Sequence, residues 1–246
     1  SNSKPPKAVL FMSHLLKESW NLAVNAIFPV FCVGCDMEGE LLCALCQTSI
    51  TFVNSRCPVC RAPSAFGRTC LSHRSMLDGC IAIASYAHPW VRELIHLWKF
   101  EYVRSVERVL LDLLMQYTRE CAIPRIDWTI VPLPLSPFRF NERGFSQTHE
   151  FARLLSELTE LPMEDDFLRH RRKMRRRQAE ILSDEKRRTQ KLYTYFFVNT
   201  KIVHVPRHVL LIDDVYTTGA TMEGAARVLK EAGVKYVWGF VLARNK

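Results

Sequence analysis

The sequence predicts an α/β fold in which a parallel sheet is flanked by helices and preceded by a small cysteine-rich module. Over the last two thirds of the 246 residues, short apolar runs alternate with segments of helical periodicity, which indicates a parallel sheet with crossover helices. Four closely spaced pairs of cysteine or histidine residues precede these segments. Neither a G-x-G-x-x-G nor a Walker A pattern occurs, so the usual dinucleotide-binding and P-loop classes lack support.

One strand, with the loop and helix that follow it, is the most informative stretch. Four apolar residues at 209–212 predict a buried strand, and Asp213 and Asp214 stand where it ends. A Thr/Gly loop follows, and apolar residues at helical spacing in 222–232 predict a helix. Helix N-terminal amides and threonine hydroxyls suit a phosphate. Adjacent carboxylates repel phosphate and suit neutral hydroxyls, such as a ribose diol, or a divalent cation. The stretch therefore predicts a ribose 5-phosphate site.

This stretch resembles the phosphoribosyl pyrophosphate (PRPP) signature of the type I phosphoribosyltransferases. The resemblance implies a type I phosphoribosyltransferase-like sheet, with Mg²⁺ accompanying PRPP and the loop around Arg139 and Arg143 holding pyrophosphate. In enzymes of this class that act on 6-oxopurines, an aspartate stands at the position of Thr217, so the threonine argues against that purine chemistry. An ordinary strand–helix turn is the alternative. The implied PRPP-binding residues are Asp213, Asp214, Thr217, Thr218, Gly219, Ala220 and Thr221.

The same periodicities predict the remaining elements. Strands are expected at residues 80–86, up to residue 132, at 195–198 and at 236–242, and helices at 90–100, 105–120, from 147 to about 160, and at 184–192. Residues 134–147 are expected to form a loop. An amphipathic helix is predicted in residues 1–31, ending before Pro29. We expect it to pack on the rest of the chain or on a second copy, because its polar face is poorer in lysine and arginine than membrane-surface helices require.

The cysteine-rich segment contains two similar sets of four candidate ligands. A C-x2-C turn brings two thiolates together, and two such turns complete a tetrahedron around Zn²⁺. Such pairs favour structural zinc in a reducing compartment over a disulfide framework. The spacing leaves open which turns share an ion, whether one or two ions bind, and whether His73 is a ligand or an ordinary surface histidine. The candidate ligands are Cys32, Cys35, Cys43 and Cys46, followed by Cys57, Cys60, Cys70 and His73.

One basic run accounts for most of the net charge of +9. It contains seven lysine or arginine residues, and without it the net charge would be about +2. Such a run is typical of a surface that binds nucleic acid or another polyanion, and the alternative is a solvated loop. Phenylalanines alternate with an arginine at 138–140, an arrangement on which bases of single-stranded DNA could stack. The candidate DNA-binding residues of the run are Arg169, Arg171, Arg172, Lys173, Arg175, Arg176 and Arg177.

The combination resembles the ComF (late competence protein F) family and the related GntX group. The matching segments are the cysteine pairs and residues 95–100, 131–134, 143–147, 177–178 and 209–221, with Ser146 where the family usually has asparagine. The resemblance implies an N-terminal helix (1–31), a zinc-binding module (32–78) and a phosphoribosyltransferase-like domain (79–246). It also implies a role in natural transformation, in which the protein handles incoming single-stranded DNA together with a competence helicase or other DNA-processing partners. The alternative is an active Mg²⁺-dependent phosphoribosyltransferase with an unidentified acceptor.

The chain contains no run of about 18 uncharged apolar residues, the length that a transmembrane helix needs. Lys17 and Glu18 interrupt the apolar N-terminal segment, and no convincing secretory signal is recognised there. We therefore expect a cytoplasmic protein without a membrane span.

Overall fold

The structure is a computed structural model that describes residues 29–100, 105–121, 126–171, 195–201 and 204–245. The predicted N-terminal amphipathic helix, the predicted helix at 184–192 and residues 172–177 of the basic run lie outside these ranges. The chain divides into two compact units, Ser1–Ser49 and Ile50–Lys246. In the first, the described residues form a cysteine-rich turn and the short helix α1 (Ala44–Thr48). The second contains the sheet and the other cysteine-rich turn.

A four-stranded parallel sheet forms the centre of the second unit. Its strands are β1 (Gly79–Ser85), β2 (Trp128–Pro132), β5 (His208–Tyr216) and β6 (Tyr236–Arg244), in the order β1-β6-β5-β2. The central strands are apolar on both faces, since Val209, Leu210, Leu211 and Ile212 are all fully buried. A continuous apolar run of this kind is expected where helices cover both sides of a parallel sheet. The predicted α/β class is confirmed.

Helices cover both faces of this sheet. Tyr117, Phe151 and Phe240 pack as a continuous aromatic group on one face, with ring centroids 5.9–6.0 Å apart. The side chains of Val209 and Leu211 belong to the core on the other face, together with Met222 and other apolar residues of the last helix. The helices are α2 (Pro89–Phe100), α3 (Ser105–Glu120), α4 (Pro137–Arg143), α5 (Gln147–Thr159) and α6 (Ala220–Glu231).

A small antiparallel ribbon is formed by β3 (Leu168–His170) and β4 (Phe196–Val198). Strand β4 was predicted, but β3 was not, because its sequence begins the basic run. Phe167 and Phe196 of this region are buried in the core beside α6.

The predictions for residues 80–86, 90–100, 105–120 and 147–160 are confirmed within one or two residues. Two predictions are wrong. Residues 134–147 are not entirely a loop, because residues 137–143 form α4. The acid pair does not end its strand, because β5 continues to Tyr216, where it still pairs with β6. Among the described residues, no helix combines the length and apolar character that crossing a membrane requires.

Candidate functional site

The acid pair lies in β5 close to the carboxyl edge of the sheet. The Asp213 carboxylate accepts a hydrogen bond from the backbone N–H of Asp214 at 2.8 Å. Burial, and then the neighbouring charge of Asp214, raise the pKa of Asp213 well above its ordinary value. Ligands of open α/β sheets bind outside this edge. The strand therefore presents two closely spaced acceptors where a ligand can reach them.

The loop after β5 turns sharply into α6. Gly219 has a φ of +76° and caps the helix. A Cβ atom at this position would lie 2.1 Å from the Tyr216 hydroxyl oxygen, so both the backbone conformation and the space require glycine. The Thr218 hydroxyl accepts a hydrogen bond from the Ala220 N–H at 3.4 Å. The turn directs the N-terminal amides of a three-turn helix towards the same edge of the sheet as the acid pair.

Two arginines come from the short helix α4. The Ser136 hydroxyl accepts the N–H of Arg139 at 3.3 Å, Pro137 occupies the first turn, and Gly144 ends the helix at a φ of +76°. These are common helix start and stop signals. Arg143 donates to the side-chain oxygen of Gln147 at 3.1 Å.

One open cleft of about 570 Å³ brings these groups together. The predicted residues that line it are Asp213, Asp214, Thr217, Thr221, Arg139 and Arg143. Thr218 and Gly219 of the loop and Ala220 at the start of α6 do not line the cleft. The arrangement combines carboxylate acceptors, hydroxyl donors and two guanidinium groups around one space.

Several lining residues were not predicted. Lys99 forms an ion pair with Asp214, with 2.5 Å between Nζ and Oδ2. His170 and Tyr195 add a stacked pair of rings, with centroids 5.7 Å apart and an interplanar angle of 16°. Thr148 also lines the cleft, and its hydroxyl donates to the Leu133 carbonyl at 2.7 Å. Lys99 lies in the matching segment 95–100 and His170 lies in the basic run, but neither pattern places them at this cleft, because the fold brings them together from separate elements.

The eight predicted metal ligands form two compact groups that pair in sequence order. The ligand atoms of each group lie within 4.8 Å of one another. The Sγ atoms of Cys35 and Cys43 are 3.7 Å apart, and those of Cys60 and Cys70 are also 3.7 Å apart. A tetrahedral zinc site with Zn–S bonds of about 2.3 Å has S–S edges of about 3.8 Å. Both groups could therefore hold a zinc ion. Their members are Cys32, Cys35, Cys43 and Cys46, and Cys57, Cys60, Cys70 and His73.

The first C-x2-C turn of each group, Cys32–Cys35 and Cys57–Cys60, has the same backbone geometry. Asp36 and Arg61, each directly after the second cysteine of its turn, have φ values of 58° and 62°. Their N–H groups donate to the carbonyls of Cys32 and Cys57, each at 2.9 Å. The repeated left-handed residue, in sequences that otherwise differ, indicates that ligand geometry determines the turn.

Backbone amides point at the first thiol of each group. The Cys32 Sγ atom accepts from Gly34 and Cys43, both at 3.4 Å, and the Cys57 Sγ atom accepts from Cys70 at 3.4 Å. Burial raises the pKa of Cys32 and of Cys57, but the backbone donors outweigh it, and each pKa falls to about 6. A metal ligand must be deprotonated, so these amides favour the ligating form.

Known proteins to which this chain is similar are named for competence and DNA utilization. No protein-family model matches the chain. Over 219 residues it is 29% identical to competence protein ComFC of Streptococcus pneumoniae, a match that covers 87% of each chain. The chain is a homologue of the competence proteins. Competence protein F of Haemophilus influenzae is 26% identical over 220 residues, 86% of this chain and 90% of that protein. DNA utilization protein YhgH of Escherichia coli K12 is 25% identical over 229 residues, 88% of this chain and 98% of that protein.

The basic run is described only at its beginning. Arg169, in β3, forms an ion pair with Asp166, with Nη2 and Oδ2 2.5 Å apart. The guanidinium of Arg171 lies 5.7 Å from the centroid of the Phe197 ring. On α4, Phe138 and Phe140 are 75% and 49% exposed. Two apolar rings are therefore open to solvent on the helix that also carries the arginines of the cleft.

Proposed function

We propose that the protein binds PRPP in this cleft and handles single-stranded DNA during DNA uptake. The observation that carries the proposal is that Asp213 and Asp214, the loop threonines and Arg139 with Arg143 line one cleft. The homologues named for competence and DNA utilization support the role in DNA uptake. Partners that unwind or process DNA fit this role.

The proposed ligand occupies the cleft from one end to the other. Its 5-phosphate lies at the loop 217–221, where the helix N-terminus and hydroxyls favour an anion. Its ribose hydroxyls face Asp213 and Asp214, which accept hydrogen bonds. Its diphosphate, together with Mg²⁺, lies towards Arg139 and Arg143, whose forked donors match phosphate oxygens.

The first prediction concerns the acid pair. A variant with Asp213→Asn and Asp214→Asn should lose at least about tenfold in PRPP affinity, because hydrogen bonds to charged acceptors contribute about 1.5–3 kcal/mol each. Calorimetric titration with PRPP and Mg²⁺ measures the change. Asp165→Asn is the control, because its side chain is 62% exposed and lies outside the cleft lining. Equal PRPP affinities of the double variant and the parent would show that Asp213 and Asp214 do not bind the ribose hydroxyls.

A phosphoribosyltransferase is the second candidate. It is favoured by the two arginines that share the cleft with the acid pair, since a departing diphosphate needs cationic partners. Release of pyrophosphate from PRPP in the presence of a base or DNA would identify it, whereas PRPP binding without release would identify a binding protein.

Zinc in both cysteine groups is also part of the proposal. The S–S separations of 3.7 Å and the amide-to-sulfur hydrogen bonds support it. Four protein ligands leave no open coordination position in either group, so the ions would stabilise structure and take no part in chemistry.

The second prediction separates charge from stacking in DNA binding. Replacing Arg172, Arg175 and Arg176 by alanine should reduce the slope of log affinity against log salt by about 2, since each phosphate contact to a single strand contributes about 0.7. Replacing Phe138 and Phe140 by alanine should instead reduce the preference for single over double strands, because stacking contributes about 1–3 kcal/mol per base. Fluorescence anisotropy with labelled oligonucleotides over a salt series measures both.

Two controls match these variants. The control for the arginine variant is the replacement by alanine of three exposed arginines on α2 and α3, which removes the same charge elsewhere: Arg92, Arg108 and Arg119. The control for the phenylalanine variant is Tyr236→Ala, because Tyr236 is 44% exposed at the start of β6, at the opposite edge of the sheet from the cleft. An unchanged salt slope in the arginine variant would show that the run is only a solvated loop. An unchanged preference for single-stranded over double-stranded DNA in the phenylalanine variant would show that Phe138 and Phe140 do not stack with bases.

A further inference from the structure

The cleft contains a lysine that forms an ion pair with one carboxylate of the acid pair. The Lys99 ammonium is 2.5 Å from Oδ2 of Asp214, and the two side chains are only 21% and 13% exposed. Asp213 lies next to this pair and is held by the Asp214 N–H. Two neighbouring carboxylates in a partly buried cleft repel each other and any phosphate, and a cation at this place offsets part of that repulsion.

The position of Lys99 is fixed by the backbone beneath it. Lys99 lies in the last turn of α2, where the helix dipole favours a positive charge. The buried amide of Gln147, 1% exposed, donates towards the carbonyls of Trp98 and Lys99 at 3.4 and 3.5 Å. The oxygen of the same amide accepts from Arg143 at 3.1 Å. One buried glutamine therefore connects the segment that carries the lysine with an arginine of the same cleft.

We propose that Lys99 is the resident cation of the acid pair, so that the cleft binds the ribose 5-phosphate part of its ligand without a divalent ion at Asp213 and Asp214. This inference rests on the proposed function. Mg²⁺ demands near-octahedral oxygen ligands at about 2.0–2.1 Å, and the ammonium at Asp214 Oδ2 takes one of those oxygens and repels a second cation. The Mg²⁺ that accompanies PRPP then belongs to its diphosphate.

Lys99 also determines which ligands the site accepts. The ion pair reduces the negative charge that a phosphate ester meets on entering the cleft, while three ammonium hydrogens remain to be shared between the carboxylate and the ligand. The ligand class is therefore a sugar phosphate with free hydroxyls, whether or not it carries a diphosphate.

The test uses ribose 5-phosphate, which has no diphosphate to bring Mg²⁺ with it. Calorimetric titration of the full chain, once with Mg²⁺ and once in buffer without added Mg²⁺ or chelator, which leaves any structural zinc in place, should give the same affinity. Lys99→Met should lose about tenfold or more without Mg²⁺, because the unpaired Asp214 carboxylate then repels the phosphate. Lys99→Arg should retain most of the affinity. The control is Lys235→Met, an exposed lysine immediately before β6.

Each outcome has one meaning. Binding of ribose 5-phosphate by the parent protein only in the presence of Mg²⁺ would overturn the inference and leave the proposed function intact. Unchanged affinity of a folded Lys99→Met protein without Mg²⁺ would also overturn it. If that variant does not fold, the comparison of affinities with and without Mg²⁺ in the parent and in Lys99→Arg decides. Absence of binding of both ribose 5-phosphate and PRPP under every condition would overturn the proposed function itself.

Discussion

Replacing Cys60 by serine should remove one zinc ion per chain and weaken PRPP binding, whereas replacing Cys35 should remove one zinc ion and leave PRPP binding unchanged. Both residues belong to groups of the same geometry. They differ in their surroundings, because the Cys35 group lies in the first compact unit and the Cys60 group lies in the same unit as the cleft. The two variants are therefore matched controls for each other.

The physical reason is a set of hydrogen bonds between the second cysteine group and α6. The carboxylate of Glu223, in the first turn of α6, accepts the hydroxyl of Ser75 and, at 2.8 Å, the N–H of Met76. Ser75 is two residues from the candidate ligand His73. The Asp78 carboxylate accepts from Lys230, near the other end of α6, at 3.1 Å. The loop that follows the ligands thus holds the helix whose N-terminus faces the proposed phosphate.

The magnitude should be large, because apparent binding free energies of structural zinc are about 10–16 kcal/mol and act as folding free energy. Metal analysis by mass spectrometry should give two ions per chain for the parent and one for each variant. Calorimetric titration with PRPP should give a lower affinity for Cys60→Ser than for the parent and an unchanged affinity for Cys35→Ser. Equal PRPP affinities in the two variants would contradict the connection through Glu223, and a metal-free parent prepared without chelator would contradict both zinc sites.

Replacing Gly219 by alanine should destabilise the turn before α6 and lower PRPP affinity. The new Cβ atom would meet the ring and hydroxyl of Tyr216, which is 8% exposed and cannot swing into solvent without opening the core. Gly144→Ala is a matched control, because Gly144 also has a φ of +76° but no atom lies within 4 Å of the added Cβ.

The measurement is the free energy of unfolding of both variants, together with the PRPP affinity of Gly219→Ala. Gly144→Ala is a control for stability alone, because Gly144 ends the helix that carries Arg139 and Arg143. The control should lose about 1–2 kcal/mol, the cost of a left-handed non-glycine residue, and Gly219→Ala should lose more by about 1–3 kcal/mol, as overpacking does. Equal losses in the two variants would show that the space beside Tyr216 is not restrictive.

The sequence predicted those parts of the site whose cause is local. The apolar run at 209–212, the acid pair and Gly219 follow one another along the chain, so strand, acceptors and turn could be inferred together. The ligand types of the cysteine groups are local too. Which turns share an ion depends on tertiary folding, and only the structure showed that Cys35 lies beside Cys43 and Cys60 beside Cys70.

The missed parts have three physical origins. Helix α4 had recognisable signals, Ser136-Pro137 at its start and Gly144 at its end, but prolines nearby made a loop the simpler prediction. Lys99 lies in the matching segment 95–100, but its role could not be inferred from that segment, because it depends on Asp214, more than a hundred residues away. Strand β3 was hidden by the basic composition of the segment that it begins.

The most direct test of the central claim is a crystal structure of the protein with PRPP and Mg²⁺. The proposed function predicts the 5-phosphate at the loop 217–221, the ribose hydroxyls within hydrogen-bond distance of Asp213 and Asp214, and the diphosphate beside Arg139 or Arg143. PRPP bound elsewhere, or bound in the cleft with its ribose hydroxyls away from both aspartates, would contradict the account.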